Sequence, residues 1–222
     1  METFFYGGIA RRIVEGLILV SVVGTIALAV LVQYYPILIV DISISQEVQE
    51  SSSSGVLLFM ESVSIFGIPW VAVLMTLAVT GVFFFASLRR EALFTALTLG
   101  AGGVNALIKV IINRPRPTDT VVMVYQKLTD PSFPSGHVVY YVVFFGFLLA
   151  AMILAPRIPR AVRIIVGSVS VALIILVSIS RLYLGVHWAT DVIGGYCIGF
   201  ALLAGLLHYY FKHVVSEKQA GR

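Results

Sequence analysis

Residues 136–154 read Gly-His-Val-Val-Tyr-Tyr-Val-Val-Phe-Phe-Gly-Phe-Leu-Leu-Ala-Ala-Met-Ile-Leu, a run without Asp, Glu, Lys or Arg. As a helix, a run of this length approaches the roughly 30 Å thickness of a bilayer core. It is continuously apolar, whereas a barrel strand would alternate over about ten residues. Similar segments lie on both sides, at about 13–34, 68–88, 92–112, 164–184 and 188–211. The expected fold is all-α, a polytopic membrane protein with six transmembrane helices. Composition leads the same way: 59% of residues are hydrophobic and only 12% charged, against roughly 25% charged in a soluble domain. Mean hydropathy is +1.00. A water-soluble domain and a disordered chain are excluded, and a single cysteine, Cys197, excludes a disulfide scaffold. The net charge of +4 does not call for nucleic acid, because membrane proteins gather Lys and Arg on cytoplasmic loops.

Two segments read less cleanly. Residues 55–66 are apolar but carry Glu61 and precede Gly67 and Pro69. They form either a short interfacial helix leading into the second span or part of one long kinked helix. In the first span, Arg11 and Arg12 precede the apolar run and Ala27-Leu28-Ala29 resembles a signal-peptide cleavage site. The run continues past Ala29, which favours a retained anchor. No internal repeat or second domain is visible, so residues 1–222 read as one membrane domain.

Charge sets the orientation. With six spans and a cytoplasmic N-terminus, the inner segments hold ten of the fifteen Lys and Arg: Arg11, Arg12, Arg89, Arg90, Arg157, Arg160, Arg163, Lys212, Lys218 and Arg222. The outer loop at 35–54 has Asp41, Glu47 and Glu50 but no Lys or Arg, and its Ser51–Ser54 run suggests a flexible turn or a helix cap. The positive-inside rule then places both termini in the cytoplasm.

The exceptions to that pattern carry chemistry. Lys109, Arg114, Arg116 and Arg181 all fall at outer ends of spans, where a cation is costly unless it snorkels or is paired. One such residue reads as an interfacial anchor; several on one side suggest an anion site. His137 and His187 open the fourth and sixth spans on that side, whereas His208 and His213 fall at the opposite end. Ser135 is positioned to cap the fourth span, and Gly136 allows a ligand close to the backbone. Free N–H groups at such a helix start suit phosphate. His187 and Asp191, four apart, would share a helix face, and the carboxylate would fix the imidazole tautomer. As an isolated pair they read equally well as structural.

Three of these segments together resemble the type-2 phosphatidic acid phosphatase family of membrane lipid phosphatases. The family signature K-x6-R-P, P-S-G-H and S-R-x5-H-x3-D is matched without a gap. It runs from Lys109 to Arg116-Pro117, over Pro134-Ser135-Gly136-His137, and from Ser180-Arg181 through His187 to Asp191. The motif core is residues 109–191. Soluble acid phosphatases and vanadium haloperoxidases share this site pattern, but the hydropathy argues against both.

The resemblance implies a hydrolase acting through a phosphohistidine, on a lipid phosphate that stays in the bilayer. His187 would be the nucleophile, Asp191 its partner and His137 the general acid. Lys109, Arg116, Ser135, Gly136 and Arg181 would bind the phosphoryl group. Arg114 is not in the signature and reads as a headgroup contact or an interfacial residue. No Asp/Glu cluster suited to a metal is visible among the outer motifs, so neither metal nor cofactor is expected. The implied location is the cell membrane, with the active site on the extracytoplasmic side. The expected substrate is phosphatidylglycerophosphate, with undecaprenyl pyrophosphate the alternative. A phosphate- or anion-binding transporter is the reading from another class, though it would favour paired repeats. Trp188 reads as an interfacial belt residue, and Gly102-Gly103 and Gly194-Gly195 as close helix contacts.

Overall fold

A computed structural model describes residues 8–51 and 53–219, with the side chains of residues 8–11, 13 and 213–219 outside that description. Ser52, Arg222 and the side chains of Arg11, His213 and Lys218, all used in the sequence argument, therefore lie outside the described residues. Helix α1 (Gly8–Tyr34) stops just before Pro36, which cannot donate a helical hydrogen bond and restricts the residue ahead of it. Helix α2 is Ile39–Gln49. Helix α3 (Ser54–Ser64) is capped by Ser53, whose Oγ accepts the Val56 N–H at 3.3 Å. A 3₁₀ turn at Ile65–Gly67 leads to α4 (Pro69–Phe85), which has its proline in the first turn, where a missing N–H costs nothing.

Helices α5 (Arg89–Leu97) and α6 (Gly100–Ile112) are joined through Thr98-Leu99, and α6 ends at Asn113 in a left-handed conformation, φ 46°. Helix α7 is Gly136–Leu154, α8 is Arg160–Tyr183 and α9 is Ala189–Gln219. Among the described residues there is no strand. Five segments are long and apolar enough to cross a membrane: Val14–Tyr34, Arg89–Ile112, Gly136–Leu154, Arg160–Tyr183 and Ala189–Lys212. Helices α3 and α4, bent by 63° at their junction, supply a sixth if counted as one. Residues 55–66 thus belong to a helix distinct from the one that follows.

Helix α7 is the core. Val138, Val139 and the run Tyr141–Phe147 are buried along it, packed mainly against α8 and α9. Gly199 and Gly195 of α9 let that helix approach: a Cβ at either would fall within 3 Å of Val142 or Val138. Gly194 likewise faces the Phe133 ring, so this pair makes the close contact expected of it. Gly102 and Gly103 do not, having nothing within 4 Å of a Cβ; they lie on a helix largely exposed on its outer side. Helix α1 packs along α9. Outward-facing Val20, Phe85, Val110 and Ile165 are more than 60% exposed in the isolated chain, as expected of side chains that face lipid tails.

The segment 35–54 departs from the loop expected there. Most of it is α2 and the start of α3, and α2 is inverted in polarity. Asp41, Ser45 and Gln49, each four residues apart, are buried, whereas Ile39 is 84% exposed. The helix offers apolar residues outward and a polar stripe to the protein. Arg114 also differs from its reading as a surface residue. Its side chain is fully buried, with Nη2 donating to Asp41 Oδ2 at 2.7 Å and Nη1 to Asp191 Oδ1 at 2.5 Å. A buried cation between two carboxylates ties α2 and the α6 terminus to the start of α9.

Removing one partner from such a network strands buried charge and costs about 3–5 kcal/mol. Asp41→Ala is therefore expected to lower the thermal midpoint in detergent clearly. Asp119→Ala, which breaks the exposed 3.4 Å pair with Lys127, should leave it unchanged. Equal midpoints for the two variants would show that the buried network does not hold the fold.

Candidate active site

The directions of α6, α7, α8 and α9 alternate, so the end of α6, the start of α7, the end of α8 and the start of α9 meet at one end of the bundle. All eight residues expected at the site lie there. Asp191 anchors it. This side chain is fully buried and caps the start of α9, its Oδ2 accepting the Trp188 N–H at 2.8 Å as in one half of a capping box, while its own N–H closes a turn onto the Trp188 carbonyl at 3.0 Å. Oδ2 also accepts the Ser132 hydroxyl, and Oδ1 takes Arg114.

His187 Nδ1 stands 3.5 Å from Asp191 Oδ2. The two do not share a helix face, as their spacing suggested, because α9 begins only at Ala189. The cap turn brings them together instead, after Gly185, whose φ of +65° and closeness to Met123 O exclude a side chain. Trp188 is not a belt residue: it is fully buried, and its Nε1 donates to Pro115 O at 3.0 Å.

In front of the imidazole stand three cations. Arg116 Nη1 is 3.5 Å from His187 Nε2 and donates to Val186 O at 2.5 Å. Arg116 and Lys109 share Asp130: Nη2 meets Oδ1 at 2.9 Å, and Nζ meets Oδ2 at 2.6 Å. Arg181 is 1% exposed; its Nη1 donates to Ser64 Oγ at 2.9 Å, but among the described residues Nε and Nη2 have no hydrogen-bond partner. Ser135 precedes α7, yet its hydroxyl makes no cap bond and is buried without a hydrogen-bond partner among the described residues. Its N–H instead donates to Asp191 O at 3.1 Å. At Gly136, the volume of a Cβ is taken by the Asn105 amide, 2.8 Å away. The His137 ring lies against Gly67, where a Cβ would fall 2.1 Å from Cδ2.

Electrostatics fix the state of His187. Burial pushes its pKa well below the ordinary histidine value, and Arg116, Arg181 and Lys109 push it the same way. The imidazole is therefore neutral, with a lone pair for one nitrogen. Burial pushes the Asp130 carboxyl up, but Lys109 and Arg116 outweigh it and hold the group below its usual value. Among the described residues, no group of three or more His, Cys, Asp or Glu side chains forms a metal-ligand set.

Sequence reasoning missed five residues here, Asp41, Ser64, Gly67, Asp130 and Ser132, and put Arg114 in the right layer but read it as a headgroup contact or an interfacial residue. Of the five, only Asp41 had a readable signal, the four-residue polar spacing on α2.

The arrangement defines an integral-membrane helical protein with a neutral histidine, a carboxylate behind it and a cluster of cations in front. Residues 70–214 match the family model for the PAP2 superfamily. The chain belongs to the PAP2 superfamily, and it is a multi-pass membrane protein. It is 36% identical over 127 residues to phosphatidylglycerophosphatase B of Bacillus subtilis (strain 168), an overlap of 55% of this chain and 59% of that protein. The chain thus spans less than two thirds of that relative's length. Among solved structures, it resembles the transmembrane PAP2-type phosphatidylglycerolphosphate phosphatase from Bacillus subtilis. There the TM-score is 0.72 and the identity 22%, over 88% of this chain and 96% of that one. Aquifex aeolicus LpxE is also similar, with a TM-score of 0.60 and 19% identity over 78% and 97%. At these identities the likeness is one of fold.

The depressed pKa of His187 makes stability depend on pH. An unfolded chain protonates this histidine near pH ~6.5, while the folded one refuses the proton. The stabilisation is present above that pH and is lost as pH falls below it. Acidification from about pH 7.5 to about pH 5 should lower the thermal midpoint less in His187→Gln than in the unaltered protein. An equal drop would mean that His187 takes up its proton as readily folded as unfolded.

Proposed function

We propose that this protein is a lipid phosphatase that converts phosphatidylglycerophosphate to phosphatidylglycerol through a phosphohistidine. One observation carries the reading. A neutral, buried imidazole has a carboxylate behind Nδ1 and Arg116 at Nε2, with Arg181 and Lys109 close enough to act on its charge. That is the setting of a nucleophile aimed at a group rich in negative charge. The named function of the Bacillus subtilis relative favours the glycerophosphate lipid. A 240 Å³ recess beside Arg116, lined in part by Thr118, Gln126 and Lys127, offers polar partners for a headgroup.

In the proposed reaction, His187 Nε2 attacks phosphorus and forms an N–P bond as the ester P–O bond breaks. His137, entering as the imidazolium, gives its proton to the leaving alkoxide. Water then attacks phosphorus and loses a proton to His137 as the N–P bond breaks, releasing inorganic phosphate and restoring a neutral His187 and a protonated His137. Asp191 stabilises the positive charge that develops on His187. Lys109, Arg116 and Arg181, with the Ser135 hydroxyl and the Gly136 N–H, hold the phosphoryl oxygens. This cationic set supplies the charge stabilisation that a metal would otherwise provide, so the reaction is proposed to be metal-independent. The charge asymmetry of the segments between spans supports cytoplasmic termini and a site on the extracytoplasmic face of the cell membrane. The whole chain works as one catalytic domain.

The test is phosphate release by protein purified in detergent, with EDTA present, from phosphatidylglycerophosphate, phosphatidate and undecaprenyl pyrophosphate. EDTA-resistant release, fastest from phosphatidylglycerophosphate and reduced roughly a thousandfold or more in His187→Ala, is expected. Preference for the pyrophosphate would move the protein to the wall-lipid carrier, and no release from a folded sample would leave an anion transporter. Asp191 is a poor probe, because its carboxylate also holds Arg114 and the α9 cap.

His137 has a cleaner one. Gly67→Ala should displace the His137 ring and lower kcat about 100-fold. Gly102→Ala, with open space around it, should be silent. Unchanged kcat in Gly67→Ala would remove His137 from the proton-transfer role.

A further inference from the structure

Two of the three cations assigned to the phosphoryl group already hold an anion. The Asp130 carboxylate spans Lys109 Nζ and Arg116 Nη2, one oxygen on each, at 2.6 and 2.9 Å. Two oxygens of a phosphoryl group would meet the same two donors in the same way. Arg181 differs, because its Nε and Nη2 are unpartnered in a nearly inaccessible place. Asp130 is also far less enclosed than the cations it holds: its side chain is 53% exposed, theirs 11%.

The main chain, not this carboxylate, positions the cations. Lys109 Nζ also donates to Pro131 O. Arg116 Nε donates to Asp130 O at 2.7 Å, and Nη1 donates to Val186 O at 2.5 Å. These bonds persist if the Asp130 side chain rotates toward water.

We propose that Asp130 is an intramolecular competitor for the phosphoryl site. Its carboxylate occupies Lys109 and Arg116 between turnovers, yields to the phosphoryl group, and returns to help expel inorganic phosphate. A cluster of three cations, two of them buried and the third partly so, would without it retain a multiply charged product, and binding that tight gains nothing for the chemical step. A carboxylate that holds the cations nine-tenths of the time lowers the apparent affinity of any competing anion about tenfold. The inference rests on the phosphatase reading for its purpose but not for its measurement.

The experiment is calorimetric titration of inorganic phosphate into the full-length protein in neutral detergent, alongside steady-state phosphate release. In Asp130→Asn, the Kd for phosphate is expected to fall about tenfold. The inhibition constant of product phosphate should fall with it, KM should drop, and kcat should not rise. Asp130→Ser, which removes the charge and the shape together, should act in the same direction and covers a failure of the first variant to fold.

A Kd that is unchanged or weaker in both variants would overturn the proposal, making Asp130 a strut for Lys109 and Arg116. Tighter phosphate binding in a protein that releases no phosphate from lipid would sink the hydrolase reading and leave the competitor standing. Turnover with unchanged phosphate affinity would do the reverse.

Discussion

Arg114 lies between two carboxylates in a place closed to bulk solvent. Asp41 and Asp191 hold its two Nη atoms, and all three side chains are fully buried. Each ion would cost several kcal/mol to bury alone; together they are held by mutual attraction and further hydrogen bonds. Thr190 donates its N–H to Asp41 at 2.9 Å, and its hydroxyl accepts from Arg114 at 2.7 Å. Arg114 Nε donates to Pro36 O at 2.8 Å. The network joins the end of α1, the inverted helix α2, the tail of α6 and the start of α9. The position of Asp191, and therefore of the carboxylate behind His187, depends on it.

In the proposed mechanism, Asp191 therefore serves structure and chemistry at once. Its two oxygens are divided: Oδ1 is taken by Arg114, and Oδ2 receives the Trp188 N–H and the Ser132 hydroxyl with His187 nearby. The carboxylate is fixed by three hydrogen-bond donors, with the His187 ring beside it. Electrostatic catalysis rewards this arrangement, since charge that is already oriented need not reorganise as the reaction proceeds.

The candidate spans were legible because hydrocarbon imposes one demand, a long run of apolar residues; five helices meet it, and the bent pair α3–α4 makes a sixth if counted as one. The layer of the site was legible because cations and histidines are expensive at span ends and therefore informative. Arg114 and Asp41 were not, for a shared reason. Hydropathy treats a charge as a mark of water, so Asp41 read as a loop residue and Arg114 as an interfacial one. Each is inside only because the other is there, and pairing between residues 73 positions apart leaves no trace in local composition. Gly67 escaped notice differently. Its role is to have no side chain where the His137 ring lies, and a glycine before a proline reads simply as a helix break. The shared face inferred for His187 and Asp191 gave the right neighbours by the wrong geometry, since a cap turn can bring residues four apart together before the helix begins.

Burial divides the charges of the site into two sets. Behind the imidazole, Arg114 is sealed against Asp41 and Asp191, leaving one negative charge that cannot exchange with solvent. In front, Lys109, Arg116 and Arg181 face a single carboxylate, the half-exposed Asp130. In the proposed reading, a phosphomonoester dianion replaces Asp130 there. Apart from the proton that His137 holds for the leaving group, four cations then face two fixed carboxylates and two substrate charges, and these charges cancel. With Asp130 inside and no substrate, the same set carries one net positive charge, which draws anions toward it. A fixed rear and an exchangeable front give the site attraction before binding and neutrality after it. The second condition matters most in a low-dielectric setting, where each unbalanced charge is costly.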